Sequence, residues 1–169
     1  TFLIVFTYTC NLKIIKMTSL KIGDKSPSIN AKDHNGNIIK SDDFAGSKLI
    51  LFFYPKDNTP GCTAEACNLR DNYQHLLDKG FKIIGVSADN ESSHQNFATK
   101  FDLPFPLIPD VEKKIILDYD VWGEKKFMGR TYDGIHRVTF VIDENSNIEK
   151  IFTKVETKNH STQILKEYK

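Results

Sequence analysis

The apolar positions of this chain change period several times along its length. "SPSINAKDHNGNIIKSDDF" (26–44) alternates around Asn35-Gly36, which predicts two short strands and a tight turn. "SKLILFFYP" (47–55) is an almost continuous apolar run, the pattern of a strand covered on both faces. Residues 62–79 carry Ala66, Leu69, Tyr73, Leu76 and Leu77 at three- and four-residue spacing, which predicts an amphipathic helix closed by Gly80. "FKIIGVSAD" (81–89) is a second doubly covered strand, and "SSHQNFATKF" (92–101) a short helix capped by serine. "VEKKIILDYDVW" (111–122) suggests another helix. "HRVTFVIDENSNIEKIFTK" (136–154) alternates on both sides of an Asn/Ser turn and predicts a hairpin, and "STQILKEYK" (161–169) a closing helix.

Strand, helix, strand, then a terminal hairpin and helix make an α/β chain with a mixed sheet between helices. That is the thioredoxin-like arrangement, here with an N-terminal β-hairpin. At 169 residues the chain suits one domain able to bury a core without staples. With 40% hydrophobic residues, 27% charged residues and a formal charge of +1, it gives no case for nucleic acid or an acidic partner.

The first sixteen residues, "TFLIVFTYTCNLKIIK", differ from the rest. Their apolar run is too short to span a bilayer, and it lacks the basic start and small-residue cleavage site of a signal peptide. Residues 1–16 are therefore expected to be an extension outside the fold, with Met17 the natural start and 17–169 the domain. The expected location is the cytoplasm.

Three cysteines (Cys10, Cys62, Cys67) are too few for a disulfide framework, and no C-x2-C or H-x3-H pair supports zinc. His75 reads as a lone surface residue. The informative feature is "FFYPKDNTPGCTAEACNLRDNY", where two of the three cysteines follow a buried strand. Thr59 suits an N-cap and Pro60 then falls at N1, so Cys62 is N3, beside unpaired backbone amides and the positive end of the helix dipole. Those groups favour thiolate over thiol, the reactive form. The Thr59 hydroxyl is placed to meet the sulfur or an oxygen bound there.

On a straight helix residues i and i+5 are separated by about 7.5 Å of rise and roughly 140° of rotation, with Cα atoms about 8–9 Å apart. A disulfide wants Cα atoms closer than about 7 Å. If Cys62 and Cys67 react, the first turns must unwind. An exposed thiolate reacts with peroxide to give a sulfenic acid, which a second thiol condenses to a disulfide. A dithiol then restores both by exchange. Such a site also needs a fixed positive charge, for which Arg70, Arg130 and Arg137 are all candidates.

"YPKDNTPGCTAEAC" resembles the P-x-x-x-[TS]-x-x-C signature of peroxiredoxins, with Pro55, Thr59 and Cys62 in the matching places. The second cysteine, "NLRDNY" and "VWGEKKFMGRTYDGIHRVTFVID" are similar to the bacterioferritin comigratory protein, or peroxiredoxin Q, subfamily. The resemblance covers nearly all of residues 20–169. It implies a thiol peroxidase reducing hydrogen peroxide and organic hydroperoxides, without metal or organic cofactor, recycled by thioredoxin or a similar dithiol. Cys62 would be peroxidatic and Cys67 resolving, through an intramolecular disulfide. Thr59 would contact the peroxide, Pro55 would shield the thiolate, and Arg137 would be the active-site arginine, leaving Arg130 on the surface. The assembly would be a monomer or weak homodimer.

Two further residues carry plainer expectations. Trp122 reads as a partly buried core aromatic, and Glu65 as an acidic residue favoured by the helix dipole alone. A disulfide oxidoreductase would instead carry C-x-x-C at the helix start. A non-catalytic binding or holdase module would give no reason for Thr59, Cys62, Cys67 and Arg137 to coexist.

Overall fold

The computed structural model describes residues 16–169. The extension expected over 1–16, with Cys10, lies outside them except for Lys16. A five-stranded sheet organises the chain. Its order is β5 (Leu107–Pro109), β4 (Phe81–Ser87), β3 (Lys48–Phe53), β8 (Val138–Ile142), β9 (Ile148–Phe152). β3 lies at the centre, parallel to β4 and antiparallel to β8. Its unbroken apolar run follows from that position, since both faces are covered. Leu49, Leu51 and Phe53 enter one core, and Ile50, Phe52 and Tyr54 the other.

The second core is closed by α1 (Pro60–Asp71), α2 (Tyr73–Asp78), α3 (Glu91–Lys100) and α5 (His160–Lys166), which contribute Cys62, Leu69, Leu76, Phe97 and Ile164. Facing the first core are α4 (Lys114–Asp118) with Ile115 and Ile116, the N-terminal hairpin β1 (Asn30–Lys32) and β2 (Ile38–Lys40), and Ile135 from the end of the hairpin β6 (Trp122–Phe127) and β7 (Arg130–Ile135). The α/β class, the mixed sheet, the N-terminal hairpin and the hairpin expected over 136–154, here β8–β9, are present.

Several local expectations are corrected. The helix expected over 62–79 is two helices that break at Asn72. There the side-chain amide donates to the Asn68 carbonyl at 2.8 Å, competing with the helical ladder. α3 is capped by Asn90, whose Oδ1 accepts from the Ser93 amide at 2.9 Å, and not by serine. The helix expected over 111–122 shrinks to α4. Asp120 is left-handed (φ 51°) and Val121 N donates to the Ile116 carbonyl at 3.1 Å, which terminates the helix. Trp122 therefore opens β6, half-buried against the core as expected, with Lys113 Nζ 4.9 Å from its ring centroid. The hairpin β6–β7 and the short strand β5 were not legible. The first turns through Met128 and Gly129, both with positive φ, and its residues are mostly exposed and charged on both faces.

One glycine is required by packing. A Cβ on Gly85 in β4 would lie 2.7 Å from both Leu107 Cδ2 and Phe52 Cζ. Gly85→Ala is expected to cost about 1–3 kcal/mol through overpacking. Urea unfolding checks it, and an unchanged midpoint would show that the sheet relaxes around the methyl.

Candidate active site

The site forms where β3 gives way to α1. After Tyr54 the chain turns through an exposed, left-handed Asn58 (φ 60°) to Thr59, which is the N-cap residue, with Pro60 at N1. The first helical bond runs from Thr63 N to the Thr59 carbonyl at 2.9 Å. The Gly61 and Cys62 amides precede that bond and lie outside the helical ladder. Cys62 is thus N3, as its register required. It is also 1% exposed, packed in the second core, rather than the open thiolate expected.

What distinguishes it from a packed apolar cysteine is Arg137. This residue sits just before β8, the strand beside β3, and its Nη2 donates to Cys62 Sγ at 3.2 Å. Its Nη1 meets Glu65 Oε2 at 2.5 Å. A Cβ on Gly61 would stand 3.2 Å from Arg137 Nη2, so the glycine leaves room for the guanidinium. The other two arginines are elsewhere. Arg70 donates to the Phe101 carbonyl and pairs with Asp71, and Arg130 is exposed on β7.

Thr59 does not cap with its side chain. Its hydroxyl donates to the Lys56 carbonyl at 2.8 Å, and this hydrogen is therefore not directed at the sulfur. Pro55 is half-buried at the head of the same loop. Cys67 is half-buried and unbonded to Cys62, on the same unbroken helix five residues on. Pro55, Thr59, Cys62 and Arg137 are gathered around one loop and helix start. Cys67 is not brought to them.

The sequence reading missed two residues here. Lys125 on β6 donates to the Ile135 carbonyl at 2.9 Å, and burial, then the Arg137 charge, lowers its pKa. Glu65, expected to be favoured by the helix dipole alone, lies past the first turn of α1. It is 0% exposed, and burial pushes its carboxyl up to about 7 against the opposing pull of Arg137. A charged residue at i+3 from a reactive cysteine was a signal that it shares the cysteine's face.

Behind Glu65 lies His160, fully buried on α5. Gln163 Oε1 accepts from the Glu156 amide at 3.0 Å while its Nε2 donates to the Lys154 carbonyl at 2.8 Å. Oε1 is therefore an acceptor toward His160 Nδ1 at 2.8 Å, and that ring nitrogen carries hydrogen. His160 Nε2 then accepts from the Thr139 hydroxyl at 2.8 Å. Glu65 Oε1 has no hydrogen-bond partner and lies 3.8 Å from His160 Nε2. Burial lowers the His160 pKa to about 4.

The neighbours titrate with opposite consequences. Glu65, raised from 4.5 to about 7, contributes stability below pH 4.5 that is lost as pH rises through 7. His160, lowered from 6.5 to about 4, contributes stability above pH 6.5 that is lost as pH falls through 4. Between these limits the two slopes oppose. Glu65→Gln should therefore make unfolding free energy fall as pH drops from 6.5, and His160→Asn should make it fall as pH rises from 4.5. Each effect should be on the order of 2 kcal/mol. Urea unfolding between those pH values checks both, and parallel profiles for the two variants would contradict the pairing.

Known proteins match this chain over most of its length. The AhpC/TSA family profile matches residues 22–151. The peroxiredoxin Bcp of Escherichia coli (strain K12) is 42% identical over 149 residues, covering 88% of this chain and 96% of that protein. The peroxiredoxin Bcp of Bacillus subtilis (strain 168) is 41% identical over 151 residues, covering 89% and 96%. The solved bacterioferritin comigratory protein of Xanthomonas campestris superposes with a TM-score of 0.79 at 30% identity, over 89% of this chain and 96% of that one. The site around Cys62 thus stands on a scaffold matched over nearly its whole length, and the chain belongs to the AhpC/TSA family as a thiol peroxidase of the Bcp and peroxiredoxin Q kind.

Proposed function

We propose that Cys62 is the peroxidatic cysteine, Cys67 the resolving one, and Arg137 the charge that serves both thiolate and transition state. The observation that carries this is the 3.2 Å contact from Arg137 Nη2 to Cys62 Sγ in an otherwise apolar setting. A fixed guanidinium there stabilises the thiolate and the charge that develops on the departing oxygen, in a region water does not screen.

The thiolate attacks the distal peroxide oxygen, the O–O bond breaks, and the alkoxide or hydroxide leaves with a proton as alcohol or water. Cys62 becomes a sulfenic acid. Thr59 Oγ1, its hydrogen committed to the Lys56 carbonyl, acts on the peroxide as an acceptor, and Pro55 shields the sulfur from water. The first turns of α1 then unwind. The Cys67 thiol displaces water from the sulfenic acid, giving a Cys62–Cys67 disulfide, which thioredoxin or a similar dithiol reduces by exchange.

The substrates are hydrogen peroxide and organic hydroperoxides, in keeping with the alkyl peroxide reduction activity described for the Xanthomonas campestris relative. Cys62, Cys67 and Arg137 come from one chain, so the cycle does not require a second subunit. Among the described residues no helix is long and apolar enough to cross a membrane.

Three variants test the roles in a coupled peroxidase assay with thioredoxin and thioredoxin reductase. Cys62→Ser is expected to abolish turnover. Cys67→Ser should consume one equivalent of peroxide and then stall; normal turnover by it would remove Cys67 from the cycle. Arg137→Met should slow sulfenic acid formation by about 10²–10³-fold, as loss of one preorganised donor does elsewhere.

A further inference from the structure

Between Pro55 and Gly61, the loop joining β3 to α1 buries one side chain, that of Asp57, which is 5% exposed. Its carboxylate is saturated. Oδ1 accepts from the Tyr54 hydroxyl at 2.7 Å, and Oδ2 from the Ser93 hydroxyl at 2.8 Å and His94 Nδ1 at 2.7 Å. The Asp57 amide donates to Asp89 Oδ2 at 2.9 Å, and that oxygen also accepts from the Ser87 hydroxyl at 2.7 Å.

His94 on α3 is 0% exposed. Its Nε2 lies 3.1 Å from the Ile108 carbonyl, while Nδ1 faces the Asp57 carboxylate. Both neighbours are acceptors, so the ring bridges the Asp57 carboxylate and the Ile108 carbonyl. Asp57, Asp89 and His94 are close enough together to recommend a metal ion. Their facing atoms, however, are already engaged with protein donors and acceptors, so the cluster reads as a fastening.

The fastened piece includes the helix start. Thr59 ties the loop to α1 on both sides, its hydroxyl to the Lys56 carbonyl and its carbonyl to the Thr63 amide. Loop and first turn are thereby one piece, and Asp57 is its buried peg. Unwinding the first turn of α1 breaks the Thr59–Thr63 bond, while the Asp57 carboxylate and the Asp57 amide still tie the loop to Tyr54, Ser93, His94 and Asp89.

Resting on the roles proposed above for the two cysteines, we propose that the Asp57–His94 pair is a positioning latch. It is made while Cys62 faces Arg137 and released when the start of α1 unwinds toward Cys67. Its strength thus sets how the Cys62 sulfenic acid is shared between two fates. In the latched conformer the sulfenic acid meets a second peroxide, giving a sulfinic acid and one molecule of alcohol or water. In the released conformer it condenses with the Cys67 thiol, giving the disulfide and water. Asp57 and His94 touch neither substrate nor sulfur and act through the loop.

The test titrates reduced full-length wild type, Asp57→Asn and Ser93→Ala with hydrogen peroxide. Mass spectrometry then gives the ratio of sulfinic acid to disulfide at Cys62. Asp57→Asn is expected to need at least about tenfold more peroxide to reach half sulfinic acid, the effect of weakening hydrogen bonds to a charged group. Ser93→Ala should shift in the same direction by less. A role limited to overall stability would slow both fates and leave their ratio unchanged. Folded variants with the wild-type ratio, or a shift toward sulfinic acid, overturn the latch. If Asp57→Asn does not fold, Ser93→Ala decides alone. A wild type that forms no Cys62–Cys67 disulfide refutes the resolving role of Cys67 and the latch with it, whereas a normal wild-type disulfide with unmoved variants refutes the latch only.

Discussion

Arg137 is where helix and sheet are held to a single geometry. Its guanidinium leaves the sheet just before β8 and meets two side chains of α1, the Cys62 sulfur and the Glu65 carboxylate. A guanidinium is rigid and permanently charged, so the two contacts fix how α1 lies over β3 and β8 as well as the charge at the sulfur. A buried ion pair of this kind is weak support for stability, because desolvation offsets much of the attraction. Burial raises the Glu65 carboxyl in spite of the guanidinium beside it, which is that offset at work. The arrangement makes better sense as a chemical device than as a structural brace.

That device is in conflict with the second half of the reaction. Cys62 must lie in the first turn of an intact helix to face Arg137, and an intact helix holds residues i and i+5 too far apart for a disulfide. The same segment therefore needs two conformations. Most of what surrounds it is rigid: β3 is buried on both faces, and Phe52 and Tyr54 anchor the core beneath the site. The loop from Pro55 to Thr59 is instead exposed or half-buried except at Asp57, its one buried side chain. The molecule is densely packed beneath the site and more open along the loop that must move.

The elements legible in the sequence were those whose pattern is set by burial. β3 and β4 read as continuous apolar runs because both faces are covered, and the 136–154 hairpin was legible because a polar turn separates two apolar strands. The thiol site was legible because Pro60 and Thr59 fix a helix register, which places Cys62 without any tertiary information. Failures came where one side-chain bond or one left-handed residue overrules periodicity, as at Asn72, Asn90 and Asp120. The β6–β7 hairpin escaped because an element exposed on both faces carries no period. Arg137 could be separated from Arg70 and Arg130 only through family resemblance, since which arginine reaches a sulfur 75 positions away is set by sheet pairing. The burial of Glu65 and the Asp57–His94 fastening were invisible for the same reason: each depends on contacts between distant elements.

The most direct measurement is a peroxide titration of the fully reduced protein, followed by intact and peptide-level mass spectrometry. If Cys62 is the nucleophile and Cys67 resolves it, one equivalent of peroxide is consumed, and the loss of two hydrogen atoms maps to a Cys62–Cys67 link. Free thiols at both positions under excess peroxide would contradict the proposed chemistry at its first step.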